Sequence, residues 1–399
     1  MKDLKHLIYF ESLLEEANNE LVQKAKADGQ IAVGYTCFHM PEVVLNVGNS
    51  FSVRLRAPNT GSFDIASYYM SNYTCEYCRA LVERAIEGGY NFLDCIAGVD
   101  ACAEMNRCME NIEILQGPDM PAENFFVTHA DIPYKVTDYT LKHYVTQIRN
   151  RYLNEIAEKY GVDTSDEALR AAVKEHNEVA EIITEIGDMR KLDNPPITGY
   201  EFHVLCLATY VCPKYLILDM LEETLEELKT REPDDKPYRA RLLVVGSEMD
   251  DPGMIKLIEE QGALVCCDRF CFGSYPGRCE IVLNDEEDAL TQVCRHYIQN
   301  CQCPRMMSMD KVYGRKQYVA DLAREYKADG IIYQQVKFCD PWAYERTLGS
   351  AMLNADFGYP VLSVDRPYNI ASSSGQMRTR VQAFVESIEI KKIQRGEQG

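Results

Sequence analysis

Cys339 stands where an apolar run, GIIYQQVKF (330–338), gives way to Asp340-Pro341-Trp342, the opening of a helical pattern. A thiol placed where a strand ends and a helix begins faces free backbone N–H groups and the positive end of the helix dipole, which ease its ionisation. The same order of strand, short link, cysteine and helix recurs in FLDCIAGVDACAEMNRCMENI (92–112), where the cysteine is Cys102. A thiolate, or a metal–sulfur group carrying negative charge, would be favoured at either place. Cys75-Glu76-Tyr77-Cys78 is a CxxC at the start of a third helical pattern. Its spacing alone permits half of a zinc site, a cluster ligand or plain packing. A thioredoxin-like role is a poorer fit, because that motif follows the first strand of its fold.

The remaining thiols carry less information. The chain has sixteen cysteines, and the acidic, helical start MKDLKHLIYFESLLEEANNE does not read as an export signal, so disulfides explain them poorly. Cys266 and Cys267 are neighbours on an expected strand, which sends their side chains to opposite faces and makes them packing residues. Cys271, Cys279 and Cys294 have no evident partner, whereas CQCP (301–304) sits in a Pro-bounded loop where thiols would be exposed. Seven histidines without HxxxH or HExxH exclude a histidine-based metal hydrolase. His39 and His129 lie near strand ends and are either acid–base groups or packing, and Thr36 and Cys37 end the first strand beside a possible pocket. Neither GxGxxG nor a Walker lysine is present. VVGSEMDDPG (244–253) follows a strand, but Glu248, Asp250 and Asp251 would repel phosphate, so it reads as a capping loop. In SSSGQMRTR (372–380) one of Ser372, Ser373 and Ser374 caps the last helix, while Arg378 and Arg380 face a phosphate or thioester ligand or merely solvent.

These residues must be positioned by alternating strands and helices. Strands are expected at 31–38, 50–56, 92–98, 124–129, 240–247, 263–270, 330–338 and 359–367, with helices at 76–88, 102–116, 253–261, 286–300, 313–328, 342–355 and 375–392. That alternation implies an α/β fold of parallel sheets covered on both faces. Two doubly wound, Rossmann-like domains (31–136 and 237–399) follow one amphipathic N-terminal helix (1–30) and are separated by a helical insertion (137–236). In such sheets ligands gather at the carboxyl ends of the strands. The net charge of −20, from 42 basic and 62 acidic residues, excludes a nucleic-acid binder. No apolar run approaches the roughly 20 residues that span a bilayer, and the chain reads as cytoplasmic.

CEYCRALVERAIEGGYNFLD (75–94), VDACAEMNR (99–107), GSEMDDPGMIKLIEEQGALVCCDRFCFGS (246–274), KFCDPW (337–342) and GQMRTRVQAFVE (375–386), in that order and spacing, resemble the 2-hydroxyacyl-CoA dehydratase and benzoyl-CoA reductase family. The resemblance implies a [4Fe–4S] cluster between two doubly wound domains, held by Cys75, Cys102 and Cys339, with Cys78 as the rival of Cys75. Three thiolates would leave one iron open to an acyl-CoA thioester. An electron passed to the thioester carbonyl gives a ketyl radical anion that expels the 2-hydroxy group; loss of a C3 proton and return of the electron yield the enoyl-CoA. The resemblance further implies a homologous second subunit and an ATP-hydrolysing iron–sulfur activator. Benzoyl-CoA reduction, a double-cubane cluster using further cysteines such as 266, 267, 301 and 303, and a non-catalytic scaffold or electron relay remain open.

Overall fold

The computed structural model describes residues 2–58, 60–100, 102–116, 120–234, 238–274 and 279–395. All eight expected strands form: β1 (Ile31–Tyr35), β2 (Ser50–Arg54), β3 (Cys95–Asp100), β4 (Phe126–Asp131), β5 (Ala240–Gly246), β6 (Ala263–Phe270), β7 (Gly330–Val336) and β8 (Val361–Arg366). They build two four-stranded sheets, ordered β2-β1-β3-β4 and β6-β5-β7-β8, in which every pairing is parallel. Strands β2, β6 and β7 are buried along their whole length, as expected where helices cover both faces. The two sheets share one strand order, so the chain repeats a topology without repeating a sequence. In each sheet the order reverses beside the first strand, between β1 and β3 and between β5 and β7, which opens a crevice at the carboxyl ends. At the end of β5, Gly246 has φ +150°, and a Cβ there would lie 1.9 Å from the Gln334 carbonyl oxygen. Only glycine lets β5 close against β7 at this point.

The helical insertion provides the partition between the sheets. In its helix Gly199–Val211 every residue except Tyr200 is buried, and the helix packs against both β2 and β6. Helices Asp166–Asp188 and Lys214–Thr230 flank it. One continuous apolar core therefore runs from Phe51 and Leu81, through Phe202 and Leu207, to Leu243 and Ile331.

Two local expectations are corrected. The N-terminal segment forms two helices, Leu7–Leu13 and Glu20–Ala27, because the Asn19 side chain accepts the Leu21 and Val22 N–H groups and starts a new helix. Cys266 and Cys267 do not point to opposite faces. Leu242 pairs with Val265 and Leu243 with Cys267, so Cys266 is the extra residue of a bulge, and the two sulfurs lie 3.9 Å apart. The last helix, Ser374–Arg395, is preceded by a 3₁₀ turn at Ile370–Ser373 that Asn369 caps. Among the described residues no helix is long and apolar enough to cross a membrane.

Candidate functional site

The carboxyl ends of the two sheets meet, and hydrogen bonds cross between the two halves. Arg56 Nε donates to the Asp250 carbonyl at 2.6 Å, the Glu76 N–H to the Lys337 carbonyl at 3.2 Å, and the Tyr368 N–H to Glu76 Oε2 at 2.7 Å. Cys75, Cys102 and Cys339 all lie at this junction, each at the N-cap of a helix. The Arg79, Asn106 and Ala343 N–H groups accordingly bond to their carbonyls at 3.1, 2.9 and 3.0 Å. The helices are Glu76–Ile86, Ala103–Gln116 and Asp340–Ala355. Cys102 follows β3 and Cys339 follows β7, which are equivalent strands of the repeated topology. The turn carrying Cys339 is strained: Phe338 has φ +63°, a conformation that costs a non-glycine residue about 1–3 kcal/mol. Its ring packs edge-on against Tyr73 at 5.8 Å, joining the segments that bear Cys339 and Cys75.

The structure brings Cys75 and Cys339 into side-chain contact. Hydrogen bonds from the side chains of Cys339 and then Cys78 hold the Cys75 thiol well below its ordinary pKa in spite of burial. The Tyr77 and Cys78 amides also face this sulfur, short of a full capping hydrogen bond. Cys75, through its side-chain hydrogen bond, and then burial push Cys339 up. Cys78, the rival, faces Cys108 as well as Cys75, and both raise it. Cys102 is pushed up by burial, is approached by the Met105 amide and senses the charge of Cys75. Among the described residues no three His, Cys, Asp or Glu side chains close around a single ion. The donor set is soft, buried and placed at three helix N-termini. It suits a polynuclear anionic group in which each sulfur binds its own metal, with the thiol protons released on binding.

Glu248 was hidden in the sequence as a capping-loop carboxylate. It follows β5, its Oε2 is buried without a partner, and burial, then Cys75, raises its carboxyl to about 7. Cys102, Cys339, Cys271 and Cys303 all lie within its electrostatic reach. Arg366 fixes the loop by donating to the Glu248 carbonyl. Beyond Glu248 lies a second group of thiols, in which Cys37, Cys271 and Cys303 sense one another. The CQCP loop is not an exposed one. Cys301 is fully buried, its sulfur 3.7 Å from His39 Nε2, and it accepts the Cys303 N–H at 3.3 Å. The Cys301 side chain, then that of His39, holds Cys303 well below its ordinary pKa against burial.

Other candidates fall away from the junction. His129 pairs with Glu113 at 3.0 Å on the surface. Arg378 pairs with Glu260 at 2.9 Å, and Arg380 donates to the Ser363 carbonyl at 2.8 Å. Cys95 and Cys294 are wholly buried packing residues in β3 and in helix Ala289–Gln299.

Comparison with known proteins points the same way. The chain is 22% identical over 95% of its length to the (R)-phenyllactyl-CoA dehydratase beta subunit of Clostridium sporogenes, of which 97% is covered. It is 21% identical over 90% of its length to one of the subunits of the benzoyl-CoA reductase of Thauera aromatica, covering 91% of it. It is 20% identical over 92% of its length to the (R)-2-hydroxyglutaryl-CoA dehydratase beta subunit of Acidaminococcus fermentans, covering 95% of it. Residues 37–388, which hold every strand except β1 and the thiol junction, match the family described as 2-hydroxyglutaryl-CoA dehydratase, D-component, and the chain belongs to that family.

Proposed function

We propose that the chain is the iron–sulfur subunit of a radical 2-hydroxyacyl-CoA dehydratase, with Cys75, Cys102 and Cys339 as ligands of one [4Fe–4S] cluster. One observation carries this reading: thiols from both halves of the chain sit at three helix N-termini of one junction, and two of them touch. When bound, the cluster supplies single electrons at low potential to the thioester carbonyl. The chain's own residues bury the site and hold the three ligand-bearing helices. Glu248, with a free buried oxygen in the crevice, can hold a proton beside the reacting acyl group. Relatives named as beta subunits support a second subunit beside this chain, and the family resemblance implies that this subunit is homologous and that an ATP-dependent iron–sulfur activator supplies the electron.

A second reading has its own observation. Cys37, Cys271 and Cys303 gather next to the first thiols with Glu248 between the groups, which suits a double-cubane reductase acting on a small molecule. Iron and sulfide analysis of anaerobically purified chain separates the two. About four of each per chain supports one cubane, and roughly double supports two. Anaerobic assays on 2-hydroxyacyl-CoA and benzoyl-CoA, with the chain alone and with its partners, then distinguish dehydratase, ring reductase and electron relay. Iron-free material overturns the cluster assignment.

A further inference from the structure

Two thiols of the CQCP loop sit together, with a histidine behind them and a small cavity in front. Cys301 is wholly buried, and its Sγ lies 3.7 Å from His39 Nε2. It accepts the Cys303 N–H at 3.3 Å, and the two cysteine side chains hydrogen-bond each other. Cys303 is only partly buried and lines a cavity of about 40 Å³. Phe38, Phe270 and Trp342 give that cavity mostly apolar walls, and Gln302 and Arg269 also line it.

Both polar lining residues carry an atom with nothing to bind. Gln302 Oε1 is buried without a partner, and so is Arg269 Nε. Arg269 is only 4% exposed, and no carboxylate among the described residues pairs with its guanidinium, which lies 5.0 Å over the Trp342 ring. An orphaned acceptor and an orphaned donor are both costly, and a molecule that donates and accepts hydrogen bonds relieves both. Since about 10–15 Å³ admits one water, the space suits a molecule of very few heavy atoms. The apolar walls favour a neutral molecule over an anion. Hydrogen peroxide meets each condition.

We propose that Cys303 and Cys301 form a peroxide-reactive pair, in which Cys303 meets hydrogen peroxide in the cavity and Cys301 then closes a disulfide with it. In the first step the Cys303 sulfur attacks one peroxide oxygen. An S–O bond forms, the O–O bond breaks, and the departing hydroxide takes a proton to become water. The sulfur is thereby oxidised by two electrons to a sulfenic acid. The Arg269 guanidinium favours the departing negative charge. In the second step Cys301 passes its proton to His39 and attacks the Cys303 sulfur. The S–S bond forms, the S–O bond breaks, and the departing hydroxide takes up that proton as a second water. Two thiols and one peroxide thus become one disulfide and two waters. Cys303 attacks first because it lines the cavity and because the Cys301 side chain, then His39, hold it below its ordinary pKa, whereas burial raises Cys301. Glu248 senses the charge of Cys303, so the state of the pair reaches the thiol junction. This chemistry does not depend on the acyl-CoA reading.

The test exposes the full, anaerobically purified chain to graded hydrogen peroxide, quenches it in acid, alkylates the remaining thiols and maps them by mass spectrometry. Trypsin releases residues 296–305, which hold Cys301 and Cys303 and no other cysteine. This peptide is expected to escape alkylation and to be two hydrogens lighter than its reduced form, a change that dithiothreitol reverses. It should oxidise about tenfold or more faster than the buried Cys294. Cys301→Ser is expected to stop at a sulfenic acid on Cys303 that dimedone traps, and Cys303→Ser to leave Cys301 reduced. Full alkylation of both thiols in the unaltered chain, or oxidation no faster than that of Cys294, overturns the pair whether or not the variants fold. A Cys301 that oxidises as fast in Cys303→Ser overturns the assigned order of attack. Iron is read on the same samples: if Cys303→Ser loses iron while folded, Cys303 is a cluster ligand and the pair is wrong.

Discussion

Glu345→Gln keeps the size of a buried side chain and deletes its charge. Glu345 lies in the helix that Cys339 caps and is 5% exposed. Its two oxygens accept from Arg315 Nε and Nη2, both at 2.9 Å, and Lys316 Nζ adds a third contact. Those partners belong to the helix Met309–Glu325, so the cluster clamps the Cys339 helix to its neighbour. Removing the carboxylate leaves two buried cations facing each other, a loss of ~3–5 kcal/mol. The titration gives a similar figure. Burial raises the Glu345 carboxyl, but Arg315 and Lys316 outweigh it and hold the pKa at about 2, against an ordinary 4.5. That difference corresponds to roughly 3 kcal/mol. Because the folded pKa lies below the unfolded one, this contribution is complete above about pH 4.5 and is lost as pH falls toward 2. Urea unfolding at pH 7 is expected to show the variant ~3–5 kcal/mol less stable with an unchanged m-value. The deficit should shrink as pH is lowered through 4 toward 3. A loss below about 1 kcal/mol at pH 7, the level of an exposed pair, or a deficit indifferent to pH, refutes the reasoning.

Cys102→Ser and Cys339→Ser, purified without oxygen, are each expected to lose the brown chromophore and its iron; full iron content in either variant removes that residue from the ligand set. Cys266→Ala and Cys294→Ala should keep their iron and cost only about 1 kcal/mol in packing, so iron loss in either would mean the structural and ligating thiols have been missorted. His203, packed beside Phe270 at 5.0 Å, has its pKa pushed down by burial to about 4 from 6.5. It is neutral in the fold and charged in the unfolded chain below pH 6.5, so it withdraws on the order of 3 kcal/mol of stability as pH falls from 6.5 to 4. Thermal scans of His203→Phe over that range should show a flatter pH dependence than the unaltered chain, and an equal slope would acquit this histidine.

Much of the architecture was legible because it is local. Buried parallel strands read as short apolar runs whatever they pair with, and all eight were found. The N-cap positions of Cys102 and Cys339 were likewise written in the order strand, link, cysteine, helix, and that of Cys75 in a CxxC at the start of a helical pattern. What failed depended on neighbours that lie far away in sequence. Alternation along β6 misplaced Cys266 because the extra residue is forced by pairing with β5. CQCP looked exposed because nothing in its own residues announces that His39 lies over Cys301. Glu248 and Arg269 were unremarkable as letters, since an unpartnered oxygen and an unmatched cation are properties of surroundings. The sequence alone therefore determined which segments are strands, where helices start and which thiols stand at their N-termini. Only the tertiary structure decided that Cys75 meets Cys339 and that Arg269 lacks a partner, because contact and desolvation depend on distances between segments that the chain's linear order does not contain.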